Sequence, residues 1–216
     1  AERARAYAKR LNAELAVINR IQEGMAAELD FQAIVDLVGD KLREVFGSAD
    51  FNIGWYDEKT NLLYQLYLYE HGKRMRQPAR PPTPGGMFEQ MRRTRQPVAL
   101  NSAADYDRMR GRAIPGTDLS KSLIDVPIIS GDRVLGEMGI ENYEREDAFG
   151  EAELRLLGTV AASMGVALAN ARLFDETQRL LKETEQRAAE LAVINSIQEG
   201  MAAELDFQAI VNLVGD

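Results

Sequence analysis

Residues 13–40 read AELAVINRIQEGMAAELDFQAIVDLVGD, and residues 189–216 read AELAVINSIQEGMAAELDFQAIVNLVGD. Only Arg20/Ser196 and Asp36/Asn212 differ, so 26 of 28 positions match at an offset of 176 residues. Self-similarity at a fixed period constrains a fold more than any short motif does. After the first copy the chain continues into KLREVFGSADFNIGWYD, whereas the second copy reaches Asp216 and stops. The expectation is one complete unit followed by the opening of a second, within a longer protein that holds at least two in tandem. The first residues, AERARAYAKRLN, enter in mid-pattern and lack an initiator Met, which fits the same reading.

Four zones follow the first copy's start. Residues 1–46 consist of good helix formers. Asp30 is placed to cap a helix over Phe31–Phe46, where Ile34, Leu37, Val38, Leu42 and Val45 recur at helical spacing and Gly47 suits the C-terminal cap. Two strand patterns come next, Phe51–Tyr56 and Leu62–Tyr69, joined by a polar turn with Asp57, Lys59 and Asn61. Residues 70–121 are irregular and hold all but one of the prolines, with a helical patch at Met87–Thr94 and a strand fragment at Pro97–Leu100. Ser122–Ser130 and Arg133–Asn142 flank Gly131-Asp132, the pattern of a β-hairpin.

From Glu151 the pattern is helical for roughly 50 residues, about 75 Å at 1.5 Å per residue. Its first part carries Leu154, Leu157, Val160, Ala161, Met164 and Leu168, a stripe wide enough to cover a sheet. Beyond Ala171 the stripe narrows to Leu173, Thr177, Leu180, Thr184, Ala188, Leu191 and Ile194 among Glu, Lys, Arg and Gln. That spacing is close to a heptad seam and predicts a dimeric coiled coil, since an isolated helix gains little from an unpartnered stripe.

Composition removes several functions. The chain has no cysteine, hence no disulfide, thiolate metal site or cysteine nucleophile, and its single histidine excludes paired-histidine zinc motifs. That residue, His71, lies in the polar run YEHGKRMR and reads as a solvated loop histidine. No apolar run reaches the roughly 18–20 residues of a membrane helix. A cytoplasmic location without membrane contact is expected. The net charge is −8, yet residues 71–121 carry eleven Lys/Arg against four Asp/Glu. A basic lid on an acidic body can draw an anionic ligand, or its arginines can pair with acidic neighbours. No phosphate loop accompanies them, and no stacking aromatics interleave them, so nucleic acid is not an expected partner.

Helix, two strands, an irregular middle, a hairpin and a long closing helix together resemble the GAF domain, a sensory module. The specific part is SLIDVPIISGDRVLGEMGIEN followed by AFGEAELRLLGTVAASMGVALANARL, ending in Asn170 to Leu173. The resemblance implies an α+β fold: an antiparallel sheet of five or six strands, terminal helices on one face and a ligand pocket on the other. The expected layout is a linker helix over 1–26, the GAF domain over 27–175, a signalling helix over 176–205, and a truncated second repeat over 206–216. It further implies a noncatalytic input module, homodimeric through its terminal helices, with no cofactor or metal expected. A structural spacer with a filled pocket is the alternative, and a cyclic-nucleotide-binding domain a second one. For the latter only Asn142, Phe149 and Glu153 match the family's pattern.

Strand alternation then selects candidate pocket residues. Ile124, Val126 and Ile128 share one face of the hairpin's first strand, with Leu123, Asp125 and Pro127 opposite. On the second strand Val134, Gly136, Met138 and Ile140 are expected toward the helices, with Leu135, Glu137, Gly139 and Glu141 opposite. Trp55 is expected toward the helices with Phe51 and Ile53. Tyr56, Tyr67, Asp125 and Glu137 are the expected pocket lining, joined by a lid arginine from Arg108, Arg110 and Arg112. Alternatively Asp125 and Glu137 pair with lid arginines and fill the pocket.

Overall fold

The computed structural model describes residues 15–26, 30–47, 50–109 and 116–214, with side chains through Met201. The chain divides into two compact units, Ala1–Ala171 and Arg172–Asp216. Elements are numbered in chain order. The first unit holds helix α1 (residues 15–26), α2 (Phe31–Val45), β1 (Asp50–Asp57), β2 (Leu62–Glu70) and β3 (Lys73–Arg74). It continues with α3 (Met87–Thr94), β4 (Val98–Leu100), α4 (Ala103–Arg108), β5 (Ser122–Ser130) and β6 (Arg133–Asn142). Helix α5 spans Glu151–Val214, so its residues from Arg172 onward form the second unit.

Local chemistry sets most boundaries. The Asp30 carboxylate accepts the Ala33 N–H at 2.7 Å and starts α2, and Gly47 ends it at φ +70°. Gly131 supplies the positive φ of the β5–β6 turn, +57°. At the start of α5 the Glu153 carboxylate accepts the Gly150 N–H at 2.8 Å, a capping-box contact. The short α4 and β3 were not legible in the sequence, because neither is long enough to show a period.

The six strands form one antiparallel sheet in the order β3-β2-β1-β6-β5-β4. On one face Phe51, Ile53, Ile124, Val126, Ile128, Met138 and Ile140 pack with Ile34, Val38 and Leu42 of α2 and Leu157, Val160, Met164 and Leu168 of α5. Trp55 packs there too, edge-on to Phe31 with ring centroids 4.8 Å apart. On the other face Leu63, Phe88, Met91, Leu100, Tyr106 and Leu123 form a smaller cluster beneath the irregular segment.

Two bulges change the expected faces. The β1–β2 register shifts between Ile53 and Gly54, which leaves Leu66 as the extra residue and turns Tyr67 to the helix side. The β5–β6 register shifts between Ile128 and Ile129, leaving Leu135 extra. Leu135 therefore joins the helix-side core and Val134 the opposite cluster, reversing the expected assignment.

The expectation that nothing reaches membrane-span apolarity also needs correction. Within Glu151–Met201 an 18-residue window has a mean hydropathy of 1.3. Of this helix, Leu156, Leu157, Val160, Ala161, Met164, Leu168 and Ala171 are buried in the first unit's core.

Candidate functional site

Between the sheet's second face and the irregular segment lies a cavity of about 100 Å³. Its floor is built from alternate residues of four strands: Asn52 of β1, Gln65 of β2, Asp125 of β5, and Glu137 and Glu141 of β6. The neighbours Ile124 and Val126 point to the helix core, and alternation sends Asp125 to the cavity. Gly139 lies opposite Asp125 in the ladder; a Cβ there would stand 1.8 Å from Asp125 Oδ1. That close approach is what a glycine in a strand interior signals. The roof comes from Arg80, Pro82, Thr83, Met87, Phe88, Tyr106 and residues 117–120. Arg80 is held there by reciprocal backbone hydrogen bonds to Leu63 of 2.8 and 3.1 Å.

The floor is acidic and buried. Asp125 is 6% exposed and Glu137 7% exposed. Burial, with the nearby Glu137 and Glu141 charges, holds the Asp125 carboxyl well above the usual carboxylate range. Burial pushes Glu137 up to about 7, opposed by the Arg80 charge and a Gln65 hydrogen bond. Glu141 is also raised by burial, against hydrogen bonds from Tyr143, Ser120 and Asn52. Asn52 Nδ2 reaches Asp125 Oδ1 and Glu141 Oε1 at the long distances of 3.4 and 3.5 Å.

The structure separates the residues grouped from the sequence. Asp125 and Glu137 line the cavity as expected. Tyr56 occupies the expected face but is not part of the wall: its ring packs on Phe88, and its hydroxyl donates to Asn61 Oδ1 at 2.8 Å. Tyr67 is on the wrong face, its ring over Gly39 and its hydroxyl donating to Asp40 at 2.7 Å. Arg108 does not reach the cavity; it pairs with Asp105 at 2.6 Å and is exposed. Arg110 and Arg112 lie outside the described residues. Elsewhere in the segment Arg95 pairs with Asp132, Arg74 with Asp36, and Arg92 covers the Tyr56 ring. The lining expected from the sequence leaves out Asn52, Gln65, Glu141 and Arg80. Asn52 and Gln65 were legible as polar interruptions of apolar strands, but nothing in the pattern marked Arg80 among its basic neighbours.

Asn142, Phe149 and Glu153 have structural duties. The Asn142 side chain accepts the Glu144 and Arg145 N–H groups at 2.9 and 2.8 Å, Phe149 packs on the core, and Glu153 caps α5. His71 is half exposed, as expected, and pairs with Asp118 at 3.0 Å, which raises its pKa. Among the described residues, only Glu70, His71 and Asp118 bring three metal-competent atoms within 4.8 Å of one another. Their atoms are already engaged, since the Asp118 N–H donates to Glu70. Along the predicted seam Leu173, Leu180, Leu191 and Ile194 are exposed, while Thr177 and Thr184 hydroxyls donate back to the Leu173 and Leu180 carbonyls.

A six-stranded antiparallel sheet with helices on one face and a roofed cavity on the other is the arrangement the sequence resemblance implied. Residues 28–169 match the family model described as GAF domain. The chain belongs to the GAF domain family. Similar solved structures include residues 122 to 287 of a methyl-accepting chemotaxis protein, at 18% identity and TM-score 0.61. That match covers 71% of this chain and 98% of the other. The GAF domain of an Acinetobacter phosphoenolpyruvate-protein phosphotransferase matches at 16% identity and TM-score 0.60, covering 76% and 98%. A Neisseria meningitidis free methionine-R-sulfoxide reductase, solved in complex with its substrate, matches at 21% identity and TM-score 0.57, covering 74% and 90%. At these identities the likeness is one of fold. No curated protein matches the chain. Solved structures similar in fold thus include a segment of a methyl-accepting chemotaxis protein as well as a reductase.

Proposed function

We propose that this chain is a noncatalytic sensory unit of a tandem-GAF signalling protein. It takes a small ligand in the sheet-to-roof cavity and relays occupancy through α5 to a paired helix. The observation that carries this reading is the two-sided use of β5. Asp125 and Leu123 face the cavity side, while Ile124, Val126 and Ile128 pack in the core that includes Leu157, Val160 and Met164 of α5. A ligand that shifts Asp125 therefore acts on a strand whose reverse side seats the outgoing helix. Such a relay needs two helix arrangements of nearly equal energy, biased by the ligand.

Pairing is proposed to use Leu173, Leu180, Leu191 and Ile194, which this single chain leaves exposed. The repeated sequence supports a following unit. Geometry favours a small ligand over a cyclic nucleotide, because about 100 Å³ is well under the roughly 300 Å³ and more of pockets for larger ligands. Two measurements test the reading. Sedimentation of the full chain should give a dimer at micromolar concentration, and Leu180→Asp a monomer; a monomeric parent chain overturns the pairing. Thermal-shift screening with small acids, amines and nucleotides should find a stabilising compound. No shift from any of them leaves the spacer reading in its place.

A further inference from the structure

The cavity's chemistry is lopsided. Its polar wall is rich in acceptors: the carboxyls of Asp118, Asp125, Glu137 and Glu141 and the amide oxygens of Asn52 and Gln65, beside the hydroxyls of Thr83, Tyr106, Thr117 and Ser120. Asn52 is 7% exposed, and both Asn52 Oδ1 and Gln65 Oε1 are buried without a hydrogen-bond partner. A buried acceptor left unpaired costs about 1–3 kcal/mol, so two unpaired amide oxygens beside the Asp125 and Glu137 carboxyls define a place for N–H donors. Arg80 is the one cationic side chain in the wall, and its buried Nε also has no partner. One acceptor atom on a ligand would therefore be received as well.

Two other ligand classes fit poorly. An anion would face four acidic side chains against one guanidinium. A bare metal ion needs ligand atoms drawn together, and the only described trio within 4.8 Å is Glu70, His71 and Asp118, not the carboxylates of the floor. Size narrows the class further. A 150 Å³ cavity admits benzene, so about 100 Å³ admits about four heavy atoms.

Resting on the ligand-binding reading above, we infer that the cavity takes a small organic ammonium of about four heavy atoms. Asn52 Oδ1 and the Asp125 and Glu137 carboxyls, which the arriving cation drives to their ionised form, receive its N–H groups, and a hydroxyl or similar acceptor at its other end meets Arg80. The floor glycine supports this: Gly139 leaves room for the Asp125 carboxylate to lie flat against the sheet rather than withdraw from the cavity.

The test is calorimetric titration of the full chain with four near-isosteric probes: n-propylammonium, ethanolammonium, 1-propanol and acetate, with magnesium chloride as a fifth arm. Both ammonium ions should bind with a Kd of about 0.1–1 mM, as expected for so few atoms, and 1-propanol, acetate and magnesium at least tenfold more weakly. Asp125→Asn should weaken ammonium binding about tenfold or more, and Glu137→Gln likewise, each variant checked by its thermal melt. Should one variant fail to fold, the other carries the comparison. Acetate, 1-propanol or magnesium binding as tightly as propylammonium overturns the ligand class while leaving the sensor reading intact. So does ammonium binding that both folded variants retain. If no probe binds and the wider screen is also silent, the sensor reading falls with it.

Discussion

One stretch of sequence occurs twice in this chain and meets two different surroundings. In the first copy Ile21 and Met25 are 1% and 4% exposed, packed in the core with α2 and α5. Their counterparts Ile197 and Met201 are 55% and 63% exposed. Gly24 sits where a Cβ would come within 2.7 Å of Leu37 Cδ2, whereas Gly200 has nothing within 4 Å. Asp30 is extended, at φ −80° and ψ 126°, and caps a new helix; Asp206 lies inside the uninterrupted α5. Twenty-six shared residues out of 28 thus give a capped second helix in one place and a continuous helix in the other. Helix propensity permits both, and the sheet beside the first copy selects one.

The sharpest way to break this comparison is paired truncation. Ile21→Ala should cost about 2–5 kcal/mol in urea unfolding of the full chain, and Ile197→Ala within about 0.5 kcal/mol. Equal costs would mean the second copy is buried in solution. Acidity should also separate the two regions. Asp125, Glu137 and Glu141 are raised by burial, so the folded first unit holds protons that the unfolded chain releases. Its stability is greatest below the unfolded carboxyl range of about 4.5 and falls as pH rises toward the folded value of about 7 for Glu137, by up to a few kcal/mol. Glu137→Gln should flatten that slope, while Glu190→Gln on the exposed helix should leave it unchanged.

Smaller effects sharpen the contrast. Gly24→Ala should leave the unfolding free energy nearly unchanged, because the helix-propensity gain of about 1 kcal/mol is offset by displacing Leu37 Cδ2. Gly200→Ala should raise helix stability by about 1 kcal/mol, because it adds propensity in open space; circular dichroism melts read both. Asp30→Ala should cost about 1 kcal/mol by removing a cap, and Asp206→Ala should be neutral or gain a few tenths.

Much of the fold was legible. The α3 span and both strands of the β5–β6 hairpin coincide with the sequence patterns, because strong periodicity ends there at turn residues. The two bulges were not. Leu66 and Leu135 carry no local mark of being extra, and each reversed the faces beyond it, which is why Tyr67 and Val134 were misplaced. Of the candidate site, Asp125 and Glu137 stood out as charges in apolar strands. Arg80 did not, since its place depends on backbone pairing with Leu63 rather than on its neighbours in sequence.

The sequence alone determined the period of the repeat, the helix and strand types, and the absence of thiol chemistry, because these follow from residue identity and spacing. Tertiary structure decided which copy of the repeat is broken and buried, which face each bulged strand presents, and which arginine reaches the acidic cavity. Those outcomes depend on partners distant in the chain, and no local pattern encodes them.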